Sequence, residues 1–334
     1  MPTWLAVVAF LVALGATLIA SEMLVWGLTR LGFKLGMAAG LLGLLTAFAA
    51  DSPEIASATS AVLSGAREVG VGVIIGSNVF NLAALLGLPG IISGRLLLPR
   101  TVVVLDGSAN LLVTLVAVAM LAGLASTLAA VTLFLGILIL YLLILALPYR
   151  RAARLKLPPL VARFLGSAAE QIHPEEMIGE GRRAGRGWLP VWLLPPALTV
   201  IVAGSVVMVT AAVLLGQRWH VPGTVVGMVA LAAITGLPNL YAAMRLARHD
   251  QGATVVSEAF NSNTLNLVVG LSLPAIVVGR NGLTSNTSYL IWLVGLSVGA
   301  IVLMLWRGGL TRLVGATIML AYFAFLAFFL KGVL

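Results

Sequence analysis

Asn78 and Asn81 lie in the run Gly76-Ser77-Asn78-Val79-Phe80-Asn81, and the same polar pattern returns 185 residues later in Asn261-Ser262-Asn263-Thr264-Leu265-Asn266. Both runs are embedded in apolar sequence, where polar side chains are costly to hold and usually mark a working site. Hydroxyl and amide oxygens of this kind suit hard cations, which take oxygen ligands. Asp51 and Glu54 precede the first run. Three residues apart, they share one helical face, and two charges offset one divalent or two monovalent cations. Crowded together without a cation, one of them would hold a proton, because like charges disfavour double ionisation. Glu258 falls one turn before Ser262; it reads either as a further carboxylate facing the same cavity or as an interfacial charge satisfied by Arg245 or Arg248. Glu22 and Asp106 sit near helix ends, where snorkelling or pairing with Arg30, Lys34 or Arg100 is expected.

The elements that must position these groups are themselves duplicated. Residues 47–91 align with 232–276 without a gap, giving 12 identities in 45 positions. The matches include Ala47 with Ala232, Pro53 with Pro238, Ser77 with Ser262, Asn78 with Asn263, Asn81 with Asn266 and Pro89 with Pro274. Pro53 and Pro238 fall inside apolar helical stretches, where proline removes a hydrogen bond and clashes with the preceding turn. Such a break is tolerated at membrane depth where the freed carbonyls line a cavity, so loosened carbonyls beside the carboxylates are expected as further ligands.

The 334-residue chain is 60% hydrophobic and only 9% charged, with a mean hydropathy of +1.10, far from the roughly 25% charged norm of soluble domains. It reads as an all-α polytopic membrane protein. About 20 apolar residues cross a bilayer, and ten such cores follow at 3–28, 36–63, 70–93, 101–122, 127–148, 190–216, 222–247, 253–279, 287–306 and 313–333. Residues 149–187 form a basic loop between a first five-helix unit, 1–148, carrying the motif 47–81, and a second, 188–334, carrying the motif 232–266. With both termini outside, 16 of the 20 Lys and Arg residues fall in cytoplasmic loops, as positive charge does in membrane proteins. The net charge of +9 then reflects orientation and anionic lipid headgroups at the loop and needs no nucleic acid. Five spans per unit, an odd number, invert the second unit relative to the first, which brings the two polar runs together near the midplane.

These motifs resemble those of the sodium/calcium exchanger family of the cation/Ca2+ antiporter superfamily, whose two alpha repeats carry Gly-Thr-Ser-x-Pro-Glu and Gly-Ser-Asn-x-x-Asn/Asp segments. Here Ala47-Phe48-Ala49-Ala50-Asp51-Ser52-Pro53-Glu54 and Gly76-Ser77-Asn78-Val79-Phe80-Asn81 stand where the family's segments stand. The resemblance implies a cation antiporter with inorganic cations, Ca2+ and Na+ or H+, as its cargo and no cofactor. It implicates the Ala47 and Ala232 carbonyls with Glu54, Ser77, Asn81, Thr235, Ser262 and Asn266, and an alternating-access motion in which a two-helix bundle slides against the core. The chain also departs from the pattern. Ala50-Asp51 replaces the Thr-Ser pair, Asn239 stands in place of the second glutamate, and Asn261 replaces the glycine before Ser262. One carboxylate of a symmetric pair has thus moved to the first repeat.

Enzyme chemistry is not expected. His173, His220 and His249 all fall in loops or at helix ends, so no hydroxyl nucleophile has a base within reach. The expected alternatives on the same fold are a monovalent cation/proton exchanger and a nontransporting scaffold whose second repeat has eroded. The compact chain fits a prokaryotic inner membrane, and it carries no signal of oligomeric state.

Overall fold

A computed structural model of the chain describes residues 1–37, 39–146, 189–279, 283 and 287–333. The loop at 149–187 and its basic headgroup anchors lie outside the described residues. Helices α1 (Thr3–Lys34), α2 (Ala39–Leu63) and α3 (Arg67–Asn81) come first; a π-helical segment, Leu82–Gly87, then joins α3 to α4 (Leu88–Ser93). Helices α5 (Arg100–Leu121) and α6 (Thr127–Ala146) complete the first half. The second begins with α7 (Leu189–Trp192) and α8 (Leu194–Arg218). A segmented helix follows, made of α9 (Gly223–Val225), a π segment at Val226–Leu231, α10 (Ala232–Thr235) and α11 (Leu237–Arg248). Last come α12 (Gly252–Val278), α13 (Thr287–Arg307) and α14 (Arg312–Val333).

Among the described residues, eight helices are long and apolar enough to cross a membrane, and Gly223–Thr235 with Leu237–Arg248, bent by 43°, adds a ninth. The expected ten are therefore not all recovered by length and apolarity. Helix α2, although 25 residues long, is absent from that set because Asp51, Ser52, Pro53 and Glu54 interrupt its apolar run. A short two-stranded ribbon accompanies the helices. Strand β1 (Arg95–Leu97) pairs antiparallel with β2 (Gly309–Thr311), Leu96 opposite Leu310. Gly309 permits this ribbon: its φ is 159°, and a Cβ there would come 2.5 Å from the Leu96 carbonyl oxygen. The Arg312 N–H extends the tie by donating to the Gly94 carbonyl at 3.0 Å.

Burial orders the bundle. The α3–α4 span is 94% buried within the protein and α12 72%, whereas α1 and α6 are each 22% buried, leaving their apolar side chains for lipid. Helices α3 and α12 pack together at the centre with α2, and α1 runs along α8 at the periphery. Glycines let backbones meet at the core. A Cβ on Gly76 would lie 2.2 Å from the Met228 carbonyl oxygen, and one on Gly227 would lie 2.2 Å from that of Val69. The α3 backbone therefore rests directly on the π segment 226–231, as small residues allow in membrane helix packing.

The prolines act unequally. Helix α2 continues through Pro53, contrary to the expected break. The carbonyl that Pro53 deprives of its donor, that of Ala49, instead accepts hydrogen bonds from Ser21 Oγ (3.0 Å) and Ser52 Oγ (2.6 Å). The equivalent point of the second half is where the 43° bend falls, with Pro238 in the first turn of α11.

Candidate cation site

The polar runs end up facing one another across the core. The Asn263 side-chain amide donates to the Asn78 carbonyl at 2.9 Å, and the Asn78 amide donates to the Ile74 carbonyl at 2.8 Å. These two asparagines join α12 to α3 and hold the remaining polar groups in register.

Around that joint, side chains from both halves connect. Asp51 Oδ1 accepts from Ser262 Oγ (2.6 Å) and from Asn239 Nδ2 (2.7 Å). Asn81 Nδ2 donates to Ser262 Oγ at 2.9 Å, and Asn266 Nδ2 donates to Glu54 Oε2 at 2.5 Å. Ser77 sits beside Glu54, although its hydroxyl makes no hydrogen bond of good geometry. Asp51, Glu54, Ser77, Asn81, Asn239, Ser262 and Asn266 are all at most 2% exposed. The site is thus closed to water. A cavity of about 520 Å³ lined by Arg67, Glu68 and Gln217 contains none of these seven residues.

The donors are spent on carboxylates and hydroxyls, and the oxygens are left over. Asp51 Oδ2, Glu54 Oε1, Ser77 Oγ and the Oδ1 atoms of Asn81, Asn239 and Asn266 are buried with no hydrogen-bond partner. Buried polar atoms are ordinarily paired, and each unpaired one costs about 1–3 kcal/mol. Oxygen is the ligand type that hard cations take, roughly six to eight at a time, and six oxygens are left this way. Among the described residues no three His, Cys, Asp or Glu side chains group tightly enough to hold a metal. Among these seven residues the formal charge is carried by Asp51 and Glu54 alone.

Other sequence candidates lie differently. Thr235 is buried, but its hydroxyl donates back to the Leu231 carbonyl at 2.8 Å. The Ala232 carbonyl accepts the Gly236 N–H at 3.1 Å, and Ala47 is a buried residue within continuous α2. Glu258 is only partly buried, and it lies close enough to Asp51 for their charges to interact. Glu22 is exposed. Asp106 overturns its expected role at the interface. It is 1% exposed and accepts hydrogen bonds from Tyr141 and Ser257. Tyr141 carries no sequence signal, being one aromatic in an apolar helix. Asn261 does, since an amide at a glycine position must find a partner, and here it finds the Tyr141 hydroxyl at 2.7 Å.

Fold and site together define a polytopic helical membrane protein with a buried, oxygen-lined pair of carboxylates. The sodium/calcium exchanger protein family matches residues 5–150 and 189–331, and the chain belongs to that family of ion exchangers. It is 29% identical over 136 residues to human sodium/potassium/calcium exchanger 4, a stretch covering 37% of this chain and 22% of that relative. It is 24% identical over 274 residues to the putative antiporter CaxA of Alkalimonas amylolytica, covering 81% of each. In fold it is similar to the sodium-calcium exchanger NCX_Mj, with a TM-score of 0.63 at 19% identity over 98% of this chain and 99% of that one. The H+/Ca2+ exchanger CAX superimposes with a TM-score of 0.72 at 13% identity, over 96% of this chain and 82% of that one.

Proposed function

We propose that this chain is a secondary active antiporter that exchanges Ca2+ for Na+ or H+ by alternating access, with the ions bound between Asp51, Glu54, Ser77, Asn81, Asn239, Ser262 and Asn266. The observation that carries this reading is the set of six unpartnered buried oxygens around two carboxylates. Ala47, Ala232 and Thr235 stand beside the set as backbone or hydroxyl contributors, and Glu258 as a carboxylate at its edge. The proposed scaffold is ten spans in two inverted five-helix repeats, with α2 and the bent α9–α11 unit counted as the polar spans. Both termini lie outside a prokaryotic plasma membrane, and the basic loop rests on anionic headgroups. Flux in proteoliposomes tests the reading, with Na+, H+ and K+ gradients each set against Ca2+. Ca2+ movement indifferent to every gradient would overturn it.

A second reading, a monovalent cation/proton exchanger, draws on Asn239 and Asn266, which leave the second repeat's share of the site neutral. The same vesicles separate the two, because that exchanger moves Na+ or K+ against H+ and leaves Ca2+ in place.

Because Asn239 touches Asp51 directly, the displaced charge can be put back. Asp51→Asn alone loses flux. Asn239→Asp alone sets two carboxylates within hydrogen-bond distance and lowers flux at neutral pH, since like charges at that range do not both ionise. The double variant keeps the net charge and one carboxylate–amide contact, so it recovers a substantial part of the cation-dependent flux. Recovery no better than Asp51→Asn would show that the side of the site on which the charge sits matters more than its total.

A further inference from the structure

Asp106 is the buried acid that the cation site does not use. Its oxygens accept from the Tyr141 hydroxyl of α6 at 2.8 Å and from the Ser257 hydroxyl of α12. The elements packed against α5 are α6, α12 and α13. Their titratable groups are Tyr141 on α6, Glu258 on α12, and Tyr289 and Arg307 on α13; α5 itself adds Arg100 at its first residue. Of these, only Tyr141 interacts with Asp106. A buried carboxylate that stays ionised is normally paired with a cation, and among the described residues this one accepts hydrogen bonds from hydroxyls alone.

The Tyr141 hydroxyl lies 2.8 Å from Asp106 Oδ1 and 2.7 Å from Asn261 Oδ1. A phenol has one hydrogen, and an ionised carboxylate and an amide oxygen are both acceptors, so one of these contacts lacks a proton. A proton on Asp106 supplies it: the Asp106 O–H donates to the Tyr141 oxygen, and the Tyr141 O–H donates to Asn261 Oδ1. Ser257 completes the set at the other carboxyl oxygen.

We infer that Asp106, held by Tyr141, Ser257 and Asn261, is a proton-binding site distinct from the cation site and coupled to it through α12. The two residues of α12 that serve Asp106 are immediate chain neighbours of two that face Asp51: Ser257 precedes Glu258, and Asn261 precedes Ser262. Ionisation of Asp106 releases its proton to water and leaves Tyr141 and Ser257 to donate to the carboxylate, which remakes the hydrogen bonds on that turn of α12. The new negative charge favours a cation at Asp51 and Glu54, and reprotonation favours cation release. This coupling rests on the proposed exchange, deepening it by assigning a proton to a named side chain.

Infrared difference spectroscopy of the full-length protein in lipid tests the proton directly. The wild-type protein shows a protonated-carboxyl C=O band that Asp106→Asn removes and Tyr141→Phe shifts, because the carboxyl loses its hydrogen-bond partner. An unchanged band in both variants overturns the assignment; Asp106 would then be ionised, with the Asn261 amide turned to donate to Tyr141. In proteoliposomes Asp106→Asn flattens the pH dependence of cation uptake by one proton, and Asp106→Glu restores it. A pH profile identical to wild type overturns the coupling, even where thermal stability has fallen. Absence of cation flux in the wild-type protein at every pH counts against the exchange reading alone, since the infrared band is read without transport.

Discussion

Asp51→Asn lowers the apparent affinity for the transported cation by at least about 100-fold and abolishes flux at ordinary ion concentrations. Asp51 Oδ1 is held by Ser262 and Asn239, and Oδ2 is buried without a partner. An asparagine that keeps the Oδ1 contacts must place its NH2 group where Oδ2 stood, aiming hydrogens at a position built for a cation. The charge is lost as well. A unit charge about 4 Å from a divalent ion at an effective dielectric of about 20 is worth roughly 8 kcal/mol, and a third of that is already about 100-fold in affinity. Ca2+ titration of uptake measures the effect, and cation-induced thermal stabilisation gives a second readout, amounting to about 2.7 kcal/mol at 100 times Kd. Wild-type affinity in both assays would remove Asp51 from the site.

Gly76→Ala is expected to destabilise the protein by about 3 kcal/mol, the upper part of the usual range for overpacking. The added methyl would meet the Met228 backbone at 2.2 Å (carbonyl oxygen) and 2.6 Å (Cα), and backbone cannot rotate away as a side chain does. Because Ser77 follows directly, the displacement that relieves the clash also shifts Glu54's neighbour. Gly270→Ala is the control: its Cβ would come no closer than 3.6 Å to Ile74, an ordinary contact, and its stability stays near wild type. Thermal unfolding in detergent ranks the two. Equal melting temperatures would mean that α3 does not rest on the 226–231 segment as described.

Family membership was legible because polar residues and prolines at membrane depth have few reasons to recur at a fixed offset. Pairing was less so. Spacing puts Asp51 and Glu54 on one face, yet whether Asn239, Ser262 and Asn266 turn donors or oxygens toward them depends on side-chain rotation, which spacing does not encode. The unbroken course of α2 through Pro53 was hidden for a similar reason: the carbonyl released there is rescued by Ser21, a residue far away in sequence on another helix. Asp106 departs from its expected place because nearness to a helix end in sequence is not nearness to the interface, and α6 and α12 cover it. The β1–β2 ribbon, at three residues a strand, is too short for alternation to register.

The Ser21 contact has a mechanical meaning. Its hydroxyl lies 3.0 Å from the Ala49 carbonyl and 3.4 Å from that of Ala50, and the first of these is the acceptor that Pro53 leaves without its usual N–H. Helix α1, mostly lipid-facing and paired with α8, is thereby latched to α2 just ahead of Asp51. A hydroxyl within reach of two successive carbonyls ties α1 to α2 at the turn that proline opens. The proline that looked like a fault in the helix bearing the carboxylates frees the carbonyl by which the lipid-side helix α1 holds it.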